Sequence, residues 1–216
     1  KSADENIDIK PDELAEELKD KGDDAYKNLY RRPSEEVKEK FEKVEQQLRA
    51  CLPAEMKDKP NWVIVRTREN ADTGRLDKFL ISPVTGKFAE SDNPETWADF
   101  DTACKYAREN GGVALAYALD GKDGIACIDL DHCVGEDGKR SALAEEVLAK
   151  CGKTYIESSV SGKGIHVFGK TKGMDLRSFS KDGDMEFYQD SHFIAMTGDG
   201  VGYYDLESFD RPEMTS

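Results

Sequence analysis

The apolar positions of residues 34–52 recur at helical spacing. Val37, Phe41, Val44 and Leu48 are separated by four, three and four residues, which places them on one face of a helix that begins after Pro33 and Ser34. Amphipathic faces of this kind usually pack on a core. We therefore expect this helix to pack on the main domain. A weaker acidic pattern over 11–30 also indicates a helix, so residues 1–52 are predicted to form a helical N-terminal appendage.

The pattern changes after Pro53 to short runs that are typical of strands. Residues 62–65 predict a strand, and 78–81 predict its partner. Asn93 and Pro94 have the chemistry of a helix start, which predicts one helix over 93–110. Residues 113–119 predict the next strand, which we expect to form a hairpin with the strand that follows the turn at 120–124.

The remaining elements alternate in the same way. A helix is predicted over 141–150, closed by Gly152, and strands are predicted at 154–159, 165–169, 185–188 and 193–196, with a polar excursion over 170–183. Antiparallel hairpins mixed with helices favour an α+β fold over a doubly wound one. Residues 53–216 are predicted to form one domain.

Composition narrows the class of protein. The 216 residues are 38% hydrophobic and 35% charged, with a net charge of −14 and five cysteines. No run predicts a membrane span or signal peptide, and scattered cysteines in odd number indicate free thiols in a reducing cytoplasm. The acidic balance argues against a nonspecific nucleic-acid coat but allows a localised basic groove. The chain begins at Lys1, and we expect it to be a piece of a longer protein.

Two aspartates end the apolar run 125–128. Asp129 and Asp131 are separated by one residue, so on a strand both would project from the same face. Adjacent carboxylates repel each other unless solvent or a cation lies close. A strand end followed by a polar turn and a cation site are therefore both open interpretations.

Two further stretches carry candidate chemistry. In the segment 158–166, Gly162 and Gly164 flank Lys163, Ser161 adds a hydroxyl group, and His166 opens the next strand. Backbone amides in such a turn can approach an anion, although an ordinary hairpin turn has the same composition. The segment 185–198 places Glu186 between apolar residues, where it is either functional or simply on the solvent side of a strand.

Taken in order, these three stretches resemble the primase–polymerase (prim-pol) domain of the archaeo-eukaryotic primase superfamily, of the kind found in phage and plasmid replication proteins. The resemblance covers about 60–210 and includes the lead-in from Trp62 to Trp97. It implies a catalytic sheet like that of an RNA-recognition motif (RRM), packed with a second small α/β unit. The N-terminal helices lie outside it.

The resemblance also implies roles for individual residues. Asp129, Asp131 and Glu186 would hold two Mg²⁺ or Mn²⁺ ions, and His166 would join them in catalysis. His166, Ser161, Lys163 and Gly164 would lie along the triphosphate of the incoming nucleotide, with Lys78, Arg66 and Lys87 as weaker candidates for nucleotide or template contacts. His192 stands where members of the family often carry arginine, which makes that phosphate contact doubtful or sensitive to pH.

The predicted function is therefore that of a template-directed nucleotidyltransferase, a DNA primase and polymerase of phage or plasmid-type replication. Its partners would be a single-stranded DNA template with its primer, nucleoside triphosphates, and a helicase domain or protein in the full-length system. We expect it in the cytoplasm of a bacterial host, without a membrane.

Several alternatives stay open at this point. The chain could be a non-catalytic RRM-like nucleic-acid-binding module, or another Asp-x-Asp metal enzyme such as a nuclease or a sugar-nucleotide transferase. Cys127, His132 and Cys133 could bind zinc, although the usual paired cysteine spacing is absent. Trp62 and Trp97 are predicted to be core residues rather than platforms for bases.

Overall fold

The structure is a computed structural model that describes residues 33–171, 184–200 and 205–209, together with the backbone of 179–181. The described part contains four α-helices: α1 (Glu35–Cys51), α2 (Ala54–Lys57), α3 (Phe100–Asn110) and α4 (Ala142–Cys151). A short 3₁₀ helix spans Pro94–Thr96. The predicted helix over 11–30 lies outside the described residues. None of the described helices is both long enough and apolar enough to cross a membrane.

Helix α1 begins where the sequence predicts. The Ser34 hydroxyl group accepts a hydrogen bond from the amide of Val37, which caps the first turn. Phe41 and Leu48 are fully buried in the main core, and Val44 packs against it. The prediction that this apolar face packs on the main domain is confirmed, whereas the domain boundary near residue 52 stays a prediction.

The described strands form two sheets in which all neighbours are antiparallel. They are β1 (Trp62–Glu69), β2 (Leu76–Ile81), β3 (Ala114–Leu119), β4 (Ile125–Leu130), β5 (Ile156–Ser158), β6 (Ile165–Lys170), β7 (Phe179–Lys181), β8 (Met185–Tyr188) and β9 (His192–Met196). The first sheet has the order β2-β1-β3-β9 and the second the order β5-β6-β4-β8-β7. This mixture of helices and antiparallel sheets confirms the α+β class.

The predicted hairpin between β3 and β4 is wrong. Strand β3 pairs with β1 on one side and β9 on the other, so both of its edges are occupied. The turn over 120–124 contains Gly121 and Gly124 with positive φ angles of 72° and 75° and carries the chain into the other sheet. Strand β4 pairs there with β6 and β8. The local turn chemistry was interpreted correctly, but it does not determine which strands pair.

The single helix predicted over 93–110 is also wrong at its start. Asn93 caps only the 3₁₀ helix, through a hydrogen bond from the amide of Glu95 to its side chain. The chain is extended at Trp97, and α3 has its own cap at Asp99, whose carboxylate accepts from the amide of Thr102 at 2.9 Å. Two helix-start signals lie six residues apart, and the second one begins the α-helix.

One buried cluster joins the two sheets. It includes apolar side chains from α1 and α3, from the face of the first sheet that carries Trp62, and from the face of the second sheet that carries Cys127. A second cluster covers the opposite face of the second sheet, beneath α4. Trp62 is fully buried and Trp97 is 6% exposed, which confirms both as core residues.

Candidate active site

Four ionisable residues lie side by side across neighbouring strands of the second sheet. In register, Glu157 of β5 pairs with His166 of β6, His166 pairs with Asp129 of β4, and Asp129 pairs with Glu186 of β8. Residues directly opposite each other in antiparallel strands project from the same face, with Cβ atoms about 5 Å apart. We call these four residues the polar row. It lies on the sheet face that also carries Cys127.

The structure therefore brings together three of the residues that the sequence predicts for the site. Asp129, His166 and Glu186 are 37 and 20 residues apart along the chain but occupy adjacent strands. The side chain of Asp129 is 19% exposed, and that of His166 is 8% exposed. A partly buried carboxylate next to a second one is suited to binding a cation or a proton.

Asp131 lies just beyond the end of β4. The strand ends at Leu130, so strand alternation alone does not fix the direction of the Asp131 side chain. Its amide donates to the carbonyl oxygen of Asp184 at 2.8 Å, which extends the pairing of β4 with β8 by one residue. The negative charge of Asp131 acts on His166 and Tyr188, which places it beside the polar row.

The imidazole of His166 lies between two carboxylates. Its Nδ1 is 2.9 Å from Oε1 of Glu157, and its Nε2 is 3.6 Å from Oδ1 of Asp129. Burial lowers the pKa of His166, but the hydrogen bond and charge of Glu157, with the charges of Asp129 and Asp131, outweigh burial and raise that pKa above its usual value. This raised pKa favours the protonated ring, the form that supplies positive charge to an anion.

Glu157 was not predicted from the sequence. It is fully buried and accepts hydrogen bonds from Tyr155, His166 and the amides of Thr197 and Gly198. The available signal was a glutamate in the short apolar strand that leads into the Gly-rich turn. Solvent-facing strand positions carry glutamate as well, so that signal does not distinguish a buried carboxylate from an exposed one.

Glu186 is supported by two aromatic residues. The hydroxyl group of Tyr188 donates to Oε2 of Glu186, and the Tyr188 ring stacks on His192 with centroids 3.6 Å apart and planes 5° apart. Burial raises the pKa of Tyr188 far above its usual value, and the hydrogen bond to Glu186 raises it further. His192 thus lies next to the site through Tyr188, which the sequence interpretation did not assign.

The Gly-rich stretch forms the turn between β5 and β6. Its amides bond within the turn: Gly162 donates to the Ser159 carbonyl, Lys163 to the Ser161 hydroxyl, and Gly164 to the Ser159 hydroxyl. The expectation that these amides face an anion is therefore not met in this conformation. Ser161 and Lys163 are exposed residues of this turn, which joins the strands that carry Glu157 and His166.

Gly164 has a packing role in this turn. A Cβ atom at this position would lie 2.7 Å from the Leu130 carbonyl oxygen and 2.9 Å from the Ser159 hydroxyl oxygen, so no side chain fits there. The carbonyl oxygen of Lys163 accepts from the amides of Cys133 and Val134 at 2.9 and 3.0 Å. These contacts hold the turn against the segment that follows Asp131.

The weaker candidates of the first sheet differ in where they point. Lys78 lies on β2 and projects from the face opposite that of Phe79, which belongs to the shared core. Arg66 is buried on β1 directly opposite Phe79 in register, so it projects from the face that joins the shared core, whereas Lys87 is exposed in the turn after β2. A direct contact of Lys78 with a nucleotide at the polar row has no support in this geometry.

The zinc alternative does not match the structure. Cys127 belongs to the core shared by the two sheets, whereas Cys133 belongs to the cluster on the opposite face, with its thiol 3.4 Å from the Leu130 carbonyl oxygen. His132 is exposed and lies 3.4 Å from Asp184. These three side chains do not converge on one point.

The donor set of the site fits a hard divalent cation. Asp129, Asp131 and Glu186 offer carboxylate oxygens, the ligands that Mg²⁺ and Mn²⁺ prefer. Within the described residues, no group of three or more His, Cys, Asp or Glu side chains is arranged so that it could hold a metal ion by itself. Mg²⁺ does not require such a shell, because it usually binds through one or two carboxylates, water and substrate phosphates. The residues present therefore fit the ion that the resemblance implies.

A phage protein has a sequence similar to that of this chain. The chain is 31% identical over 142 residues to a protein named DNA Primase-polymerase from Nitratiruptor phage NrS-1. The match covers 64% of this chain but only 19% of that protein, so the chain spans about a fifth of the length of its relative. No family model matches the chain. The similarity supports a relationship between this chain and the primase–polymerases.

Proposed function

We propose that this chain is the catalytic domain of a template-directed nucleotidyltransferase, a DNA primase and polymerase. The observation that carries the proposal is the register of β4, which sets Asp129 directly between His166 and Glu186. The similarity to a phage DNA Primase-polymerase supports it independently. Neither a nuclease nor a non-catalytic binding module is favoured by these observations.

In this proposal Asp129, Asp131 and Glu186 hold two Mg²⁺ or Mn²⁺ ions. When bound, such ions activate a primer 3′-hydroxyl group and stabilise the charge on the leaving pyrophosphate. The Tyr188 hydroxyl group donates to Glu186 and so fixes the position of its carboxylate. Partial burial of Asp129 keeps competing water away and strengthens its interactions with cations.

His166, Ser161 and Lys163 would bind the triphosphate of the incoming nucleotide. The raised pKa of His166 favours the protonated ring, whose Nε2 would donate a hydrogen bond to a phosphate oxygen. Lys163 is exposed at the tip of the turn, where its ammonium group can follow a flexible polyphosphate. His192 would act mainly through its stack on Tyr188.

The same proposal covers the catalytic sheet, the DNA substrate and the replication partner. The sheet that carries the polar row would be the RRM-like catalytic sheet, with the first sheet and its helices as the second unit. Single-stranded DNA with a primer would be the substrate strand, and a helicase domain or protein would act with this chain in the full-length system. With a net charge of −14, we expect template binding through a limited basic surface with few phosphate contacts, and therefore a shallow dependence of template affinity on salt.

The test is nucleotide incorporation by the purified protein on single-stranded DNA, with and without a primer, in Mg²⁺ and in Mn²⁺. We expect primer extension together with release of pyrophosphate, and loss of both when a chelator removes the metal. Products in the unprimed reaction would add primase activity. Release of nucleoside monophosphates instead would indicate a nuclease, and nucleic-acid binding without any metal-dependent product would indicate a binding module.

A further inference from the structure

Glu157 is the most deeply buried member of the polar row, with no exposed surface. Each of its oxygens accepts two hydrogen bonds. Oε1 accepts from Nδ1 of His166 at 2.9 Å and from the amide of Thr197 at 3.1 Å. Oε2 accepts from the hydroxyl group of Tyr155 at 2.7 Å and from the amide of Gly198 at 2.9 Å.

Three of these partners, two backbone amides and the Tyr155 hydroxyl group, donate to Glu157. An ionised carboxylate only accepts hydrogen bonds. With Glu157 as an ionised acceptor, Nδ1 of His166 is the donor in the hydrogen bond that joins them, so that nitrogen carries the proton. Nε2 is then the nitrogen atom that faces Asp129, at 3.6 Å.

The same carboxylate joins two parts of the fold. Thr197 and Gly198 follow β9 of the first sheet, whereas His166 belongs to the second sheet. The Thr197 hydroxyl group also donates to the Ser158 carbonyl oxygen at 2.6 Å, next to Glu157. Through Glu157, the position of the His166 ring is thus fixed relative to both sheets.

We propose that Glu157 is a positioning residue: its carboxylate fixes the His166 ring so that Nε2 faces Asp129, on the side of the second sheet where the nucleotide would bind. This proposal rests on the proposed nucleotidyltransferase function for its kinetic consequence, but not for its structural one. Glu157 itself would touch neither nucleotide nor metal ion, because His166 lies between Glu157 and Asp129 in the row.

The first test uses the unaltered protein. The chain has three histidines, so long-range proton–nitrogen NMR spectra of the imidazole rings can be assigned with His132→Ala and His192→Ala variants. At a pH above the titration of the ring, we expect a single neutral form of His166 with its proton on Nδ1. A ring that carries the proton on Nε2, or an even mixture of both forms, would overturn the proposal.

The second test uses Glu157→Gln, which keeps the shape of the side chain. An amide nitrogen would face two donors, so His166 should lose its fixed form and the nucleotide KM should rise about 10-fold or more, the size of effect found when carboxylates that orient a histidine are removed. Glu109→Gln is the matched control, because it removes the same charge from an exposed position on α3. The control should leave the nucleotide KM unchanged.

A double variant separates positioning from general structural support. If Glu157 acts through His166, then adding Glu157→Gln to His166→Ala should raise the nucleotide KM by less than about two-fold. Multiplication of the two single effects would overturn the proposal. If Glu157→Gln fails to fold, Tyr155→Phe is the replacement variant, because it removes one donor from Oε2 of Glu157 and leaves Oε1, the oxygen that contacts His166, unchanged. In that variant the His166 proton should stay on Nδ1.

The two proposals fail in different ways. A wild-type protein with the proton on Nδ1 of His166 but no nucleotide incorporation would contradict the proposed function and leave the positioning of His166 in place. Incorporation by a protein whose His166 carries the proton on Nε2 would support the function and contradict the role of Glu157.

Discussion

Two neighbouring rows of the second sheet have opposite character although the same four strands supply both. The polar row contains Glu157, His166, Asp129 and Glu186. The adjacent row, one step away in register, contains Ile156, Val167, Ile128 and Phe187, which we call the apolar row. All four residues of the apolar row are buried in the cluster beneath α4.

The contrast shows that core residues and candidate site residues lie on opposite faces of the same sheet. Successive residues of a strand project from opposite faces, so one step in each strand moves from core to candidate site. Substitutions in the apolar row should then affect mainly the free energy of unfolding. Substitutions of Asp129 and Glu186 in the polar row should affect mainly nucleotide incorporation, whereas Glu157 also contributes to stability because its hydrogen bonds join the two sheets.

The largest expected effect is the loss of nucleotide incorporation caused by a substitution in the polar row. Asp129→Asn keeps the volume of the side chain but removes the charge next to Glu186, so we expect nucleotide incorporation to fall at least about 1,000-fold, roughly 4 kcal/mol of transition-state stabilisation. Primer-extension rates measure this, with thermal unfolding as the check that the fold is intact. Near-normal activity in this variant would exclude Asp129 as a metal ligand.

Ile128→Ala tests the apolar side, one residue away on the same strand. Removing this buried side chain should lower the free energy of unfolding by about 2–5 kcal/mol through lost contacts and a cavity. Denaturant titration measures the loss. The incorporation rate per folded molecule should stay within about three-fold of wild type, and a much larger loss would show that the two rows are not separable.

Two glycines of the β5–β6 turn give the next contrast. Gly164→Ala places a methyl group 2.7 Å from the Leu130 carbonyl oxygen, so we expect it to shift the turn, cost about 1–3 kcal/mol and raise the nucleotide KM. Gly162→Ala meets open space and should cost about 1 kcal/mol through its positive φ of 72° alone. Equal nucleotide KM values in the two variants would show that the close packing of Gly164 against the Leu130 carbonyl oxygen does not affect nucleotide binding.

A smaller effect is expected at the exposed tip of the same turn. Lys163→Ala should raise the nucleotide KM about 10-fold, which corresponds to 1.4 kcal/mol, because one charge near the triphosphate is lost. Template affinity, measured by fluorescence anisotropy with labelled single-stranded DNA, should change less than two-fold. Equal losses for nucleotide and template would instead make Lys163 a general DNA contact.

The smallest effect is expected at His132, which borders the row without belonging to it. Its side chain is 79% exposed, and its ion pair with Asp184 is of the surface kind that contributes at most about 1 kcal/mol. His132→Ala should therefore leave nucleotide incorporation within about two-fold of wild type. A loss comparable to that of Asp129→Asn would place His132 in the site.

The sequence predicted local elements well where patterning and capping agree. The apolar spacing of Phe41 and Leu48 predicted both the helix α1 and its buried face. The helix predicted over 141–150 and closed by Gly152 is likewise α4, and the structure shows Ser141 as its cap, since such signals act within a few residues of the helix.

Pairing between distant strands could not be predicted in the same way. The turn over 120–124 is compatible with a hairpin, and only the occupied edges of β3 exclude one. The pairing of Asp129 with Glu186 depends on a register that spans 57 residues of chain. Glu157 escaped prediction for the same reason, since its four donors come from residues up to 41 positions away.

The most direct test of the central claim is the equilibrium affinity for a deoxynucleoside triphosphate, measured by calorimetry with and without Mn²⁺ for wild type and for Glu186→Gln. If the carboxylates of the polar row form a metal-dependent nucleotide site, Mn²⁺ should tighten binding to wild type at least about 10-fold and have little effect on the variant. Binding that does not change with Mn²⁺, or an equal gain in both proteins, would contradict the account.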